Sequence, residues 1–269
     1  MKQLNAINTI SRLVKKDPAV RAIFVKGSVA RGEMDIYSDV DFYCLVKNDK
    51  LEEFLNRRLH YLKQYRPLLY WSEVNFVGPQ IVAVFDNGLH FDFYTVTVSN
   101  LPKTDQIKII HDPEGLLNNY KAEKLSITEE DFIRYFNSFS FTMLEFVSAY
   151  KRNDLIWASR LGSHLCGDLA VILRYIYDRN NSKLGFKRLY KNLDKNLYKK
   201  LHKAMDFLGP SYLPKGVIML TEILKDTIEK IPNEVIRKIN IKFFEYMYDR
   251  IIKLKQEDKK KISTPNSKG

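Results

Sequence analysis

Residues 22–32 read Ala22-Ile23-Phe24-Val25-Lys26-Gly27-Ser28-Val29-Ala30-Arg31-Gly32, and residues 37–46 read Tyr37-Ser38-Asp39-Val40-Asp41-Phe42-Tyr43-Cys44-Leu45-Val46. Two apolar runs of strand character flank a short loop containing Gly27-Ser28, and the second run opens with two aspartates one residue apart. Successive side chains of a strand point to opposite faces, so Asp39 and Asp41 are expected on the same face, their Cα atoms roughly 6.5–7 Å apart. Carboxylates that close raise each other's pKa unless a cation sits between them. A hard divalent ion such as Mg2+ meets that need and usually also holds phosphates. Gly27-Ser28 supplies the complement: a turn without a Cβ, followed by backbone N–H groups free to meet phosphate oxygens.

Working outward, Leu4, Ile7, Ile10, Leu13 and Val14 recur at helical spacing and predict a helix over 4–16, ended by Asp17-Pro18. The first strand is expected at 22–26, a short helical turn at 28–31 and the second strand at 39–46. On a regular first strand, Lys26 points away from the Ser28 side. Asn48-Asp49 is expected to cap a helix reaching Tyr65, with Leu51, Phe54, Leu55, Leu59 and Leu62 as its buried stripe and Arg66-Pro67 as its stop. Further strands are expected at 69–76, 81–85 and 89–98, the last two joined by a hairpin at Asp86-Asn87-Gly88. Alternation puts His90, Asp92 and Tyr94 on one face of the last strand and Phe91, Phe93 and Thr95 on the other. A carboxylate inside an aromatic strand needs a partner or a metal. Asp92 is therefore a candidate site residue.

From Ser126 the period changes. Ser126-Ile127-Thr128-Glu129 reads as a capping box, and helices are expected over 129–152, 154–179, 186–208, 215–230 and 233–257. Phe132, Tyr135, Phe136, Phe139 and Phe146 fit one broad helix face and read as core. The expected organisation is α+β: a mixed sheet with flanking helices in residues 1–125, an all-α bundle over 126–257, and a disordered tail over 258–269.

At 269 residues the chain is long enough for two modest domains. No run approaches the roughly 20 apolar residues of a membrane span, and Met1-Lys2-Gln3-Leu4-Asn5 lacks the shape of a secretory signal. With only Cys44 and Cys166, each in an apolar setting, the expectation is a cytoplasmic protein with reduced thiols. The net charge of +12 is uneven: residues 1–125 hold 17 Lys/Arg against 15 Asp/Glu, and the remainder 27 against 17. A nucleic-acid channel should be basic beside its metals, and the half carrying the acids is close to neutral. Nucleic acid is thereby disfavoured as a partner.

Gly27-Ser28 followed by Asp39-Val40-Asp41 resembles the signature of the nucleotidyltransferase superfamily related to DNA polymerase beta. Gly27-Ser28, Arg31-Gly32-Glu33, Asp35-Ile36-Tyr37-Ser38-Asp39, Asp41 and Phe42-Tyr43 are similar to the pattern of antibiotic nucleotidyltransferases, most of all the two-domain lincosamide enzymes. Val84-Phe85-Asp86-Asn87, Lys151-Arg152, Ala158-Ser159-Arg160 and Lys191-Asn192-Leu193 extend the likeness. The resemblance departs at Asp41, where the lincosamide pattern has Glu.

The resemblance implies a nucleotidyltransferase sheet domain followed by an acceptor-binding bundle. It implies Mg-ATP or another NTP as co-substrate, its phosphates bound by Gly27, Ser28 and Arg31. Two Mg2+ ions would be held by Asp39 and Asp41, with Asp92 as third metal ligand or as general base. Asp92 is preferred to His90 for that place, because a carboxylate can bind metal or accept a proton, whereas His90 is considered for the second role alone. The implied acceptor is a hydroxyl of a lincosamide or an aminoglycoside, with release of pyrophosphate. A protein or RNA acceptor, as in toxin–antitoxin members, is the alternative. The sequence is compatible with a homodimer and does not fix the oligomeric state.

Overall fold

The alternation that sets the acids apart from their apolar neighbours is built into one mixed six-stranded sheet. The computed structural model describes residues 1–75 and 78–263, and the chain divides into two compact units, Met1–Lys124 and Leu125–Gly269.

The first unit runs α1 (Lys2–Val14), β1 (Val20–Val25), α2 (Gly27–Ala30), β2 (Val40–Val46), α3 (Leu51–Leu55), α4 (Arg58–Tyr65), β3 (Leu68–Asn75), β4 (Pro79–Phe85), β5 (His90–Val96) and β6 (Lys108–His111). The strand order is β3-β4-β5-β2-β1-β6. Neighbours are antiparallel except β2 and β5, which run parallel with Asp41 opposite Asp92.

One face of the sheet is dry. Val40, Phe42 and Cys44 of β2 pack there with Phe91 and Phe93 of β5, beneath α1 and the α3–α4 pair. Each fully buried Phe contributes about 1.5–3 kcal/mol, so this face holds the unit together. The other face carries a smaller cluster that includes Phe24, Tyr43, Leu45 and Val96. Phe24 stacks on Tyr43, and Tyr43 on Tyr94, with centroids 4.9 and 4.3 Å apart. Beside this ladder the same face turns acidic.

Several local expectations need correction. The helix expected to reach Tyr65 is broken at Asn56-Arg57 into α3 and α4. Arg57 leaves the helical stripe to pair with Asp17, its Nε 2.7 Å from Oδ2. A short edge strand, β6, pairs with β1 where the sequence predicts no strand; its residues, two exposed and two half-buried, carry no alternation to betray it. β3 ends at Asn75; Phe76, expected to close it, lies outside the described residues.

The second unit holds α5 (Glu129–Lys151), α6 (Leu155–Tyr177), α7 (Lys195–Asp206), α8 (Lys215–Thr227), α9 (Asn233–Ile236) and α10 (Ile241–Ser263). Phe132, Phe136, Phe139 and Phe146 are buried in its core, as their spacing predicts. The capping box lies two residues beyond the expected one: Thr128 accepts from Asp131 N, and Asp131 accepts from Thr128 N. The helix expected from 186 begins only at Lys195. The buried Arg174 guanidinium binds the carbonyls of Gly185 and Lys187, which fixes a loop where a helix would need those groups. The helix expected over 233–257 is two, α9 and α10, and Asn240 caps the second by accepting from Phe243 N at 3.1 Å. α10 continues through Ser263; residues 264–269 of the expected tail lie outside the described residues.

Cys44 and Cys166 are buried and free. No helix among the described residues is long and apolar enough to cross a membrane.

Candidate active site

The site begins at the end of β1, where the chain must turn. Gly27 sits at φ +62° and opens α2; a Cβ there would run into Asp41 Oδ2. The left-handed backbone favours glycine here, and any Cβ would also make the Asp41 carboxylate move. Lys26 N donates to Asp41 O at 3.0 Å, clamping the turn to the start of β2. Ser28 Oγ is buried with no hydrogen-bond partner among the described residues.

Asp39 lies just before β2, on a loop pinned to α1. The buried Gln3 amide donates to Asp35 O at 3.0 Å and Ser38 O at 2.9 Å. Asp35 Oδ1 accepts from Tyr37 N and Ser38 Oγ, each at 2.9 Å. The loop is thus closed by its own side chains before it delivers Asp39.

Asp92 is 7% exposed, on a strand flanked by β4 and β2. Its Oδ1 accepts from Gln80 Nε2 at 2.9 Å, and His90 Nε2 lies 3.2 Å from the same oxygen. Burial pushes the Asp92 carboxyl above the usual carboxylate range. The His90 charge and the Gln80 hydrogen bond pull it back, and the Asp39 charge adds to the rise. Asp39, His90 and Asp92 each offer one ligand atom within 4.8 Å of the others.

The acid and glycine positions singled out from the sequence therefore fall into two neighbouring groups. Asp41 belongs with the Gly27 turn, and Asp39 converges with Asp92 and His90 across the β2–β5 pair. Asp41 is absent from the three-residue cluster. Arg31 pairs with Glu33, Nε to Oε2 3.1 Å, and with Asp105. Its charge is engaged by two carboxylates and ties the turn to the 102–105 segment.

Two residues of the site are not among those the sequence singles out. Gln80 is 3% exposed and is the polar residue among Val82 and Val84 on its face of β4; a polar side chain at an alternating position of an apolar strand is the available signal. Lys26, outside the expected site because a regular first strand points it away from the Ser28 side, braces the segment beside it. Its Nζ donates to Pro102 O and Thr104 O, each at 2.7 Å, and lies over the rings of Tyr43 and Tyr120. Burial lowers its pKa to about 8, against the pull of Asp105 and Asp41.

The residues fit a divalent cation. Two carboxylates and an imidazole converge, one carboxylate is buried against the charge of the other, and a cation would relieve that repulsion. The Gly27 turn, with the orphaned Ser28 hydroxyl, suits a phosphate chain.

The chain is similar in structure to an aminoglycoside 6-adenyltransferase from Bacillus subtilis, at 12% identity and TM-score 0.35, covering 91% of this chain and 97% of that one. A spectinomycin adenyltransferase from Enterococcus faecialis, solved with ATP and spectinomycin, is 13% identical with TM-score 0.30, over 93% and 98% of the two chains. A CCA-adding enzyme from Thermotoga maritima, complexed with tRNA, is 14% identical with TM-score 0.33, over 87% and 67%. These likenesses are low in identity and in superposition, and family membership rests on the sequence alone. A search of curated protein sequences returns no match. The family model described as streptomycin adenylyltransferase matches residues 1–256. The chain belongs to that family, one of antibiotic nucleotidyltransferases, and is an adenylyltransferase.

Proposed function

We propose that the protein transfers AMP from Mg-ATP to a hydroxyl of an aminoglycoside-type antibiotic, releasing pyrophosphate. The observation that carries this is the convergence of Asp39, His90 and Asp92 on the face that also bears Asp41 and the Gly27 turn. Of the two acceptors that the resemblance implies, lincosamide or aminoglycoside, family membership favours the aminoglycoside.

The Gly27 turn and Ser28 bind the phosphate chain through backbone N–H groups and the buried hydroxyl. Arg31 braces the turn through Glu33 and Asp105; contact with phosphate would require it to leave that pair. Asp39 and Asp92 would hold the divalent cation, which would supply charge neutralisation at the α-phosphate and the departing pyrophosphate; Asp41, turned to the Gly27 loop, would have to leave it to join them. Asp92 would be ligand through one carboxylate oxygen and general base through the other. It accepts the proton of the acceptor hydroxyl as that oxygen bonds to the α-phosphorus and the bond to the bridging oxygen breaks. Gln80 and His90 both engage Oδ1, which leaves Oδ2 for that proton. Most of the rate enhancement is positioning and electrostatics. The helical unit, over 126–257, is assigned to the acceptor.

The test is incubation of the full chain with Mg-ATP and a panel of aminoglycosides and lincosamides, followed by mass spectrometry. One aminoglycoside should gain one adenylate. Adenylylation of a lincosamide alone, or of a protein or RNA and no drug, would overturn the acceptor assignment.

A further inference from the structure

We propose that the acidic centre is a mixed nitrogen–oxygen site, in which His90 Nε2 binds the divalent cation together with Asp39 and Asp92. It would then take a transition-series ion such as Mn2+ in preference to Mg2+. Resting on the metal-centre assignment above, the proposal names the donor set and the ion that set selects.

The first support is convergence. The ligand atoms of Asp39, His90 and Asp92 lie within 4.8 Å of one another. Donors sharing one ion at about 2.0–2.3 Å are separated by roughly 3–4.5 Å, so side-chain adjustment alone closes the set. An imidazole nitrogen is a metal ligand as well as a proton acceptor, a role that a choice of Asp92 over His90 on sequence grounds leaves out.

The second support is that His90 is available. It is the first residue of β5, its side chain is 47% exposed, and its Nε2 already faces the shared acids at 3.2 Å from Asp92 Oδ1. That oxygen also accepts from the buried Gln80 amide at 2.9 Å. His90 can exchange its contact with Asp92 for a metal bond, and Oδ1 keeps a donor. The carboxylate stays oriented by an outer partner, as ligating carboxylates generally are.

The third support is where Asp41 goes. Its Oδ2 lies where a Cβ at Gly27 would fall, and it is not in the converging group of Asp39, His90 and Asp92. The three-residue set is thus two oxygens and one nitrogen. Oxygen-only sets suit Mg2+, and imidazole shifts preference along the first-row divalent series.

The experiment uses the full chain labelled with 15N-histidine, and the unlabelled chain. Mn2+ binding is followed by electron paramagnetic resonance, alone and with a non-hydrolysable ATP analogue. Pulsed measurements then read nitrogen coupling to bound Mn2+. A 14N coupling that becomes 15N on histidine labelling is expected, as is Mn2+ affinity at least tenfold above that for Mg2+. His90→Gln should lose the coupling and bind Mn2+ about tenfold more weakly, with Mg2+ affinity unchanged. Bound Mn2+ without histidine coupling overturns the proposal, and the labelled parent chain decides this without any variant. Asp39→Asn separates the two layers. If it abolishes Mn2+ binding while the parent shows no histidine coupling, the metal centre stands and the role of His90 falls. If it binds Mn2+ as the parent does, or if the parent binds none, both fall.

Discussion

Two buried carboxylates in the first unit, Asp17 and Asp92, sit in opposite settings. Asp17, beside the helix-covered face of the sheet, is satisfied on every side. It accepts from Ala19 N at 2.9 Å, from Tyr61 Oη at 2.7 Å, and from Arg57 Nε and Nη2 at 2.7 and 3.0 Å. Burial alone would raise its pKa, but these hydrogen bonds and the Arg57 charge hold it below the usual range. Asp92, on the other face, has an amide and an imidazole on one oxygen, faces a second acid, and is held above that range. A carboxylate that serves the fold is paired with a fixed cation. One that serves chemistry is kept under electrostatic stress, which a substrate proton or a metal relieves.

The same strands carry both faces. Phe42 and Phe93 alternate with Asp41 and Asp92, so substitutions one residue apart should act on different properties. The largest effect is expected for Asp39→Asn: turnover should fall about a thousandfold or more, with the unfolding midpoint little changed. Steady-state kinetics beside thermal melts check this, and parental turnover by the folded variant would remove Asp39 from the site.

Phe93→Ala should do the converse. Deleting a fully buried Phe costs about 3–5 kcal/mol, read by urea unfolding. A loss below about 1 kcal/mol would mean that the dry face is not what holds the sheet.

Asp17→Asn should cost about 1–3 kcal/mol and leave ATP affinity unchanged. Because the folded pKa of Asp17 is depressed, its stabilisation is present above the unfolded value near pH 4 and is lost as pH falls below it. The stability difference between parent and variant should therefore shrink on acidification through that window. A constant difference would contradict the charge pairing.

Much of this is legible in the sequence, and what is not has a physical reason. Alternation in His90–Val96 separates Asp92 from Phe91 and Phe93 because a period of two needs no knowledge of neighbours. The Gly27 turn is legible because few other residues tolerate its backbone. The assignment of Asp41 and Asp39 to different groups is not, since equal parity along a strand does not say which way a carboxylate leans. Gln80 and Lys26 stay hidden because their partners, Asp92 and the 102–104 carbonyls, lie 12 and about 76 to 78 residues away. The break at Asn56-Arg57 and the loop at 185–194 stay hidden because their partners lie outside the local pattern: Asp17 holds the Arg57 side chain from 40 residues away, and Arg174 takes the carbonyls of Gly185 and Lys187.

Asp92→Asn is the sharpest probe of a carboxylate kept for chemistry, because the substitution keeps the size and shape of the side chain, removes its charge and turns one acceptor oxygen into a donor. The measurement is turnover beside ATP affinity on the purified full chain. Turnover should fall at least a thousandfold while ATP binds within about threefold of the parent. Turnover near the parental value, with ATP bound normally, would remove Asp92 from the chemistry.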